Sequence, residues 1–177
     1  MNGTILSLDP SSTRTGWALL SQGEQLLQGG IIKPHKQKCE AQYRIAQMCK
    51  DLEQLLAEIE PETILLEWPS GHVGRKRHQG GGAGLSIYGA ACGSLWRTCE
   101  HWIRSLPPEQ QSQTEVELVL ESDWTRGIPK SDRIAGVASR FKEYDPAADP
   151  GGDLADAIGL GCWYLKEYRM RLAEQVS

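Results

Sequence analysis

Residues 3–21 read GTILSLDPSSTRTGWALLS. The run Thr4–Leu8 has the make-up of a buried strand, and it delivers a carboxylate, Asp9, at its end. A Pro-Ser-Ser turn follows, and Gly16 opens a second apolar run that reads as a returning strand. Burial disfavours the charged form of a carboxyl group, so an unpartnered aspartate at this place is expensive. Asp9 either caps the turn with Ser11 and Ser12 or has a partner elsewhere.

Working outward, EQLLQGGIIK predicts a third strand, with a tight turn at Ser21–Gly23, and the three together read as an antiparallel meander. Over 38–60, Ile45, Met48, Leu52, Leu55, Leu56 and Ile59 recur at steps of three and four, which predicts an amphipathic helix ended by Pro61. ETILLEWP gives a short, continuous apolar run suited to a central strand, closed by Glu67, Trp68 and Pro69. Residues 70–84 read as a Gly-rich basic loop, 85–105 as a second helix and 107–113 as a surface loop. EVELVLE reads as an alternating strand, SDRIAGVASRFK as a short helix and GDLADAIGLGCWYLKEYRM as a final helix. Along 85–105 the small residues Gly89, Ala90, Ala91 and Gly93 would let another backbone approach, either the sheet or a second copy of the chain. The order predicts an α/β domain spanning 1–177: a mixed five-stranded sheet, meander first and βα units after, with helices on both faces. It resembles the ribonuclease H-like fold.

With 24% charged and 40% hydrophobic residues, the composition is that of an ordinary globular chain. No apolar run approaches the roughly 20 residues needed to cross a bilayer, and the N-terminus has no signal-peptide pattern, so no membrane is expected and a cytoplasmic location is. Five scattered cysteines without a C-x-x-C pair read as reduced core thiols. The net charge is −4, but its distribution is uneven. Residues 51–62 carry five acids and no base; Arg126, Lys130, Arg133, Arg140 and Lys142 face only Asp132 across 124–142; and HVGRKRH (72–78) is basic throughout. Such polarity suits a polyanion on one face, although solvated faces would look the same.

Three more acids stand where Asp9 has a use for them. Glu67 ends the fourth strand, and Asp153 and Asp156 lie three apart at the start of the last helix, hence on one face. Asp153 also reads as an N-cap after Gly151-Gly152, and Asp156 as a first-turn acid favoured by the helix dipole. If the first and fourth strands are neighbours, all four carboxylates cluster, and a hard divalent cation is what such a cluster tolerates best. Two such ions about 3.5–4 Å apart are the usual apparatus of phosphodiester hydrolysis.

At this point four stretches in order resemble the RuvC family of Holliday-junction resolvases. They are ILSLDPSSTRTGWALL, ETILLEWP, LVLESDWTRGIPKSDRIAGV and DPGGDLADAIGLGCWYL, spanning about residues 3–170. Ser11 where the family commonly has glycine, and Trp68 directly after Glu67, mark a divergent or phage-type member. The resemblance implies an endonuclease of DNA recombination and repair, a homodimer that binds four-way junctions. It implies paired nicks dependent on Mg²⁺ or Mn²⁺, two ions per site, leaving 5′-phosphate and 3′-hydroxyl ends. Asp9, Glu67, Asp153 and Asp156 would be metal-binding and catalytic, with Lys130 acting at the scissile phosphate and Arg126 and Arg133 nearby. No small-molecule cofactor is implied, and the enzyme would be nucleoid-associated while acting. For contact with DNA the candidates are Arg75, Lys76 and Arg77 in the basic loop, Trp68, Trp124, Arg126 and Arg133. His72 and His78, on the same loop, suit phosphate contact or solvation.

Other readings share the fold. Asp-x-Ser-Ser-Thr-x-Thr-Gly also resembles the first phosphate motif of actin-like ATPases and sugar kinases, but those need two copies of the fold and no Walker A sequence is present. A flap nuclease, a nuclease of RNA–DNA hybrids and a non-catalytic branched-DNA-binding protein complete the set.

Overall fold

A computed structural model describes residues 3–35, 38–70 and 81–176. Strands β1 (Thr4–Pro10), β2 (Thr15–Ser21) and β3 (Leu26–Ile32) form the expected meander, followed by α1 (Ala41–Ile59), β4 (Thr63–Trp68) and α2 (Gly81–Ser105). After them come a single turn, α3 (Pro108–Gln111), then β5 (Glu115–Leu120), α4 (Glu121–Thr125), α5 (Lys130–Arg140) and α6 (Asp153–Val176). The sheet order is β3-β2-β1-β4-β5, with β1 antiparallel to β2 and parallel to β4, and β4 parallel to β5.

Side-chain alternation sends the two halves of each strand to different cores. Leu6, Leu8, Ile64 and Leu66 pack with Met48, Leu52 and Leu56 of α1 and Leu95 of α2. Ile5, Ala18, Leu20 and Leu65 pack on the opposite face with Ala157, Ile158 and Leu160 of α6. The period of two then puts Asp9, in step with Ile5 and Ser7, and Glu67, in step with Leu65, on the α6 face. Since Leu8 pairs with Leu66 in the parallel ladder, Asp9 and Glu67 follow side by side.

Helix α6 lies unusually close to the meander. A Cβ at Gly16 would meet the Asp153 carbonyl oxygen at 2.0 Å, and one at Gly161 would meet Leu20 Cδ1 at 2.4 Å. Gly16 is the register partner of Asp9, so the same close approach brings the start of α6 over Asp9. Ser7 fastens the contact by donating its hydroxyl to the Ala157 carbonyl, 2.6 Å away in the buried layer.

Several element assignments differ from the sequence reading: 107–113, read as a surface loop, holds the turn α3, and α6 runs on to Val176. Helix α2 begins at Gly81 rather than at residue 85, through a turn whose glycines have poor propensity. Gly84 has open space about it, so no packing at that position accounts for the extra turn. Helix α1 ends not at Pro61 directly but on Glu60, which turns left-handed and donates its N–H to the Leu56 carbonyl. Helix α4, unforeseen, is closed by Arg126 and Gly127, both at positive φ, which reverse the chain into α5. No disulfide joins the cysteines among the described residues; Cys92 and Cys99 are buried core thiols as expected, whereas Cys39, Cys49 and Cys162 are only partly buried. No helix among the described residues is long and apolar enough to cross a membrane.

Substituting Gly16→Ala forces a side chain into the backbone of Asp153, and overpacking of this kind costs about 1–3 kcal/mol. Urea unfolding should show that loss, and a change under about 0.5 kcal/mol, the range of an indifferent surface substitution, would mean that α6 does not approach β2 this closely.

Candidate metal and nuclease site

The carboxyl ends of the parallel strands meet the N-terminus of α6, the usual place for a site in an open α/β sheet. Asp9 leaves β1 and Glu67 leaves β4, while Asp153 and Asp156 occupy the first turn of α6. Ser11, not Asp9, organises the turn after β1: its oxygen accepts the N–H of Thr13 and of Arg14. That leaves Asp9 free of the capping role the sequence permitted. Its carboxyl is pushed well above the usual range by burial, then by the negative charges of Glu67, Asp156 and Asp153, against the opposing charge of Lys130. Glu67 is pushed up to about 7 by burial and by the neighbouring charge of Glu121, with a Trp124 hydrogen bond working the other way. Glu67, Asp153 and Asp156 thus all act electrostatically on Asp9.

Bases hold the α6 pair. Lys130 Nζ lies 2.9 Å from Asp156 Oδ2 and 3.5 Å from Asp153 Oδ1. Arg133 takes Asp156 in a two-pronged grip, Nε to Oδ1 at 2.8 Å and Nη2 to Oδ2 at 3.0 Å. Arg14 Nε stands 2.5 Å from Asp153 Oδ2 as an ion pair without hydrogen-bond geometry, so that buried oxygen has no hydrogen-bond partner. Burial works against the charge on Lys130 and on Arg133, yet the hydrogen bond and charge of Asp156 outweigh it and raise both pKa values. In this conformation no three His, Cys, Asp or Glu side chains among the described residues are grouped to hold a metal ion. The donors nevertheless fit such an ion in kind: all are hard oxygens, and Asp153 Oδ2 is buried and unsatisfied beside them.

Asp153 does not cap its own helix. That task falls to Asp149, only 2% exposed, whose Oδ1 accepts the Asp153 N–H and whose Oδ2 accepts the Ala155 N–H and the Tyr144 hydroxyl, each at 3.0 Å. Gly152, at φ +66, makes the turn between them. Relief from capping leaves the Asp153 carboxylate to the site.

The candidates for DNA contact fare differently. Trp124 is not an exposed stacking platform: it is 6% exposed, and its indole N–H donates to Glu67 Oε2 at 2.9 Å. Trp68 is half-buried and packs edge-on against Trp96, ring centres 6.5 Å apart, on the α1/α2 side of the sheet. Arg133 is occupied by Asp156, whereas Arg126 is exposed and pairs with Glu167 at 2.9 Å. Arg75, Lys76 and Arg77, with His72 and His78, lie outside the described residues.

Two neighbours of the site escaped the sequence reading. Glu121 follows β5 directly at the start of α4, and its charge helps to raise the Glu67 pKa; the shared Leu-Asp, Leu-Glu, Leu-Glu at the ends of the three parallel strands was the available signal. Tyr88 of α2 brings its hydroxyl 3.5 Å from Glu67 Oε1, and burial with nearby thiol and carboxylate charges raises its pKa. Nothing in the local sequence marks it.

An Asp149→Ala variant strips the cap and strands two buried N–H groups and a hydroxyl. The expected loss is about 2 kcal/mol, or about 5 °C in Tm; calorimetry that found no loss would remove Asp149 from the cap.

No family model matches the chain. It is 26% identical over 159 residues to the crossover junction endodeoxyribonuclease RuvC of Chlorobaculum parvum (strain DSM 263 / NCIMB 8327), covering 88% of this chain and 78% of that protein. Among solved structures, T. thermophilus RuvC in complex with Holliday junction substrate superposes with a TM-score of 0.65 at 17% identity, over 95% of this chain and 96% of the other. The Fowlpox virus resolvase in complex with substrate Holliday junction DNA gives 0.56 at 13% identity, over 93% and 98%. In sequence the chain is similar to RuvC proteins, and its fold is the ribonuclease H-like fold of these resolvases.

Proposed function

We propose that the protein is a structure-selective endodeoxyribonuclease that resolves four-way DNA junctions by paired, metal-dependent nicks, leaving 5′-phosphate and 3′-hydroxyl ends. The observation that carries this reading is the convergence of Asp9 and Glu67, from neighbouring parallel strand ends, with Asp153 and Asp156 of α6. The substrate class comes from the relatives, a crossover junction endodeoxyribonuclease and two resolvases bound to junction DNA.

Asp9, Glu67, Asp153 and Asp156 would hold Mg²⁺ or Mn²⁺, two ions per site, which supply water activation and stabilisation of the leaving oxygen in phosphodiester hydrolysis. The chain's own part is preorganisation. Asp9 and Glu67 leave strands paired on both sides, so holding them in place needs little rearrangement during reaction. Lys130, now shared between Asp153 and Asp156, is the cation best placed to meet charge that develops on the scissile phosphate. Until DNA enters, Arg14 and Arg133 offset the repulsion between the acids of α6.

Two symmetric nicks require two sites, and we infer a homodimer. Helix α2 supports it, with open space at Gly84, Gly89 and Gly93 and with Leu85 45% exposed. Arg75, Lys76 and Arg77 would contact the DNA backbone, with exposed Arg126 beside them in that role.

The test is cleavage of a mobile four-way junction with Mg²⁺ or Mn²⁺, beside a flap, a plain duplex and an RNA–DNA hybrid. Symmetric paired nicks confined to the junction are expected. Asp9→Asn removes an interaction worth several kcal/mol to the reaction and should slow cleavage about a thousandfold while junction affinity stays within about threefold. Cutting of the flap or hybrid instead would overturn the substrate, and tight junction binding without any cutting would favour a binding protein.

A further inference from the structure

Trp124 is the largest side chain at the site that the proposed chemistry leaves unused. It stands on α4, a helix of five residues that is too short to hold itself in water. Each part of its ring meets a different element. The indole N–H donates to Glu67 Oε2 of β4 at 2.9 Å. The ring face lies under the Arg133 guanidinium of α5, 5.1 Å from Cζ to the ring centre. The ring edge lies against α6 at Gly159, where a Cβ would stand 3.1 Å from Trp124 Cζ3.

Arg133 is no loose surface cation: its side chain is 17% exposed, its Nη1 donates to the Ile128 carbonyl at 2.8 Å, and its fork closes on Asp156. A guanidinium over an indole face is held by cation–π attraction, and desolvation strengthens it. Glu67 and Asp156, from β4 and α6, are thus joined through one indole, by its N–H on one side and by its face, through Arg133, on the other. Apolar packing alone would need neither the donor nor the stacked cation; a leucine or phenylalanine fills such a space.

We propose that Trp124 is a positioning residue of the site, setting Glu67 directly and Asp156 through Arg133, so that the acids from β4 and α6 keep a fixed relation. The inference rests on the reading of these acids as a metal-dependent nuclease centre. Groups that orient metal-binding carboxylates in this way typically change metal affinity about 10- to 100-fold when removed.

The experiment replaces Trp124 with β-(3-benzothienyl)alanine, which keeps the ring and its face but puts sulfur where the N–H was. Trp124→Phe, which also shrinks the face under Arg133, is the second variant. Mn²⁺ binding to the DNA-free full chain is measured by titration calorimetry, alongside Tm and junction cleavage at rising Mn²⁺, with Asp9→Asn as the control that loses the site. The isostere is expected to fold with a Tm lowered by only a few degrees and to keep junction affinity, to bind Mn²⁺ about 10-fold more weakly, and to regain cleavage as Mn²⁺ is raised. Trp124→Phe should weaken Mn²⁺ binding further. An isostere with wild-type Mn²⁺ affinity overturns the proposal and leaves Trp124 as core filling. Wild-type protein that binds Mn²⁺ no better than Asp9→Asn overturns the nuclease-centre reading and this proposal with it; that failure appears in the unmodified chain, whereas the other appears only in the variants.

Discussion

Mutual repulsion among carboxylates at one end of the sheet is the constraint around which this molecule is arranged. Parallel strands β1 and β4 deliver Asp9 and Glu67 side by side, the start of α4 adds Glu121, and α6 brings Asp153 and Asp156 down upon them. Burial multiplies the cost, since charges out of water repel more strongly and lose hydration. The chain answers the α6 pair with Arg14, Lys130 and Arg133, and leaves Asp9 and Glu67 with raised pKa values. The acids are therefore divided: one pair balanced by bases, the other held at the strand ends at an electrostatic cost. A site that keeps such a cost in its folded state is commonly one where function needs the strained arrangement.

Placement of α6 is what makes the convergence possible, and several unrelated residues serve it. Gly16 and Gly161 admit the close approach, Ser7 ties the second turn of the helix to β1, and Asp149 satisfies the orphan N–H groups at its start. A cap supplied by the Asp153 side chain would have aimed that carboxylate back at its own helix. Placing the cap four residues upstream, beneath a Gly152 turn, separates the structural duty from the site.

Much of this was legible in sequence, and the limits have physical reasons. The apolar runs of β1, β2 and β4 and the three-four stripe of α1 express burial directly, so these elements and their order along the chain followed from them, while the pairing of β1 with β4 stood only as a condition. The four acids stood at element ends, where periodicity alone gives the face. What escaped were features decided by tertiary contact. Glycine propensity argued against the first turn of α2, which forms nonetheless. Tyr88 reaches Glu67 only through the packing of α2 on the sheet. Trp124, flanked by Thr125 and Arg126, reads locally as a surface aromatic, and its burial comes from tertiary contacts with Glu67, Arg133 and Gly159. Asp149 went unremarked because Asp153, directly after Gly151-Gly152, offered a nearer cap for the same helix start.

The basic stretch 124–142 carries the same lesson into electrostatics. Counted along the chain, its five bases against one acid suggested a surface for a polyanion. Folded, Arg126 pairs with Glu167, Lys130 with Asp153 and Asp156, Arg133 with Asp156, and Arg140 with Glu24. Linear charge counting fails here because the compensating acids arrive from β-turns and from α6, distant in sequence. Most of that positive charge is engaged within the fold, and a base already engaged with a carboxylate gives little net attraction to a phosphate at a distance. In the proposed nuclease, long-range attraction of DNA then rests on bases other than these. Bases of 124–142 would then act at short range: Lys130, already at the acids, meets phosphate only once the DNA is seated. Capture and chemistry would be carried by different parts of the chain.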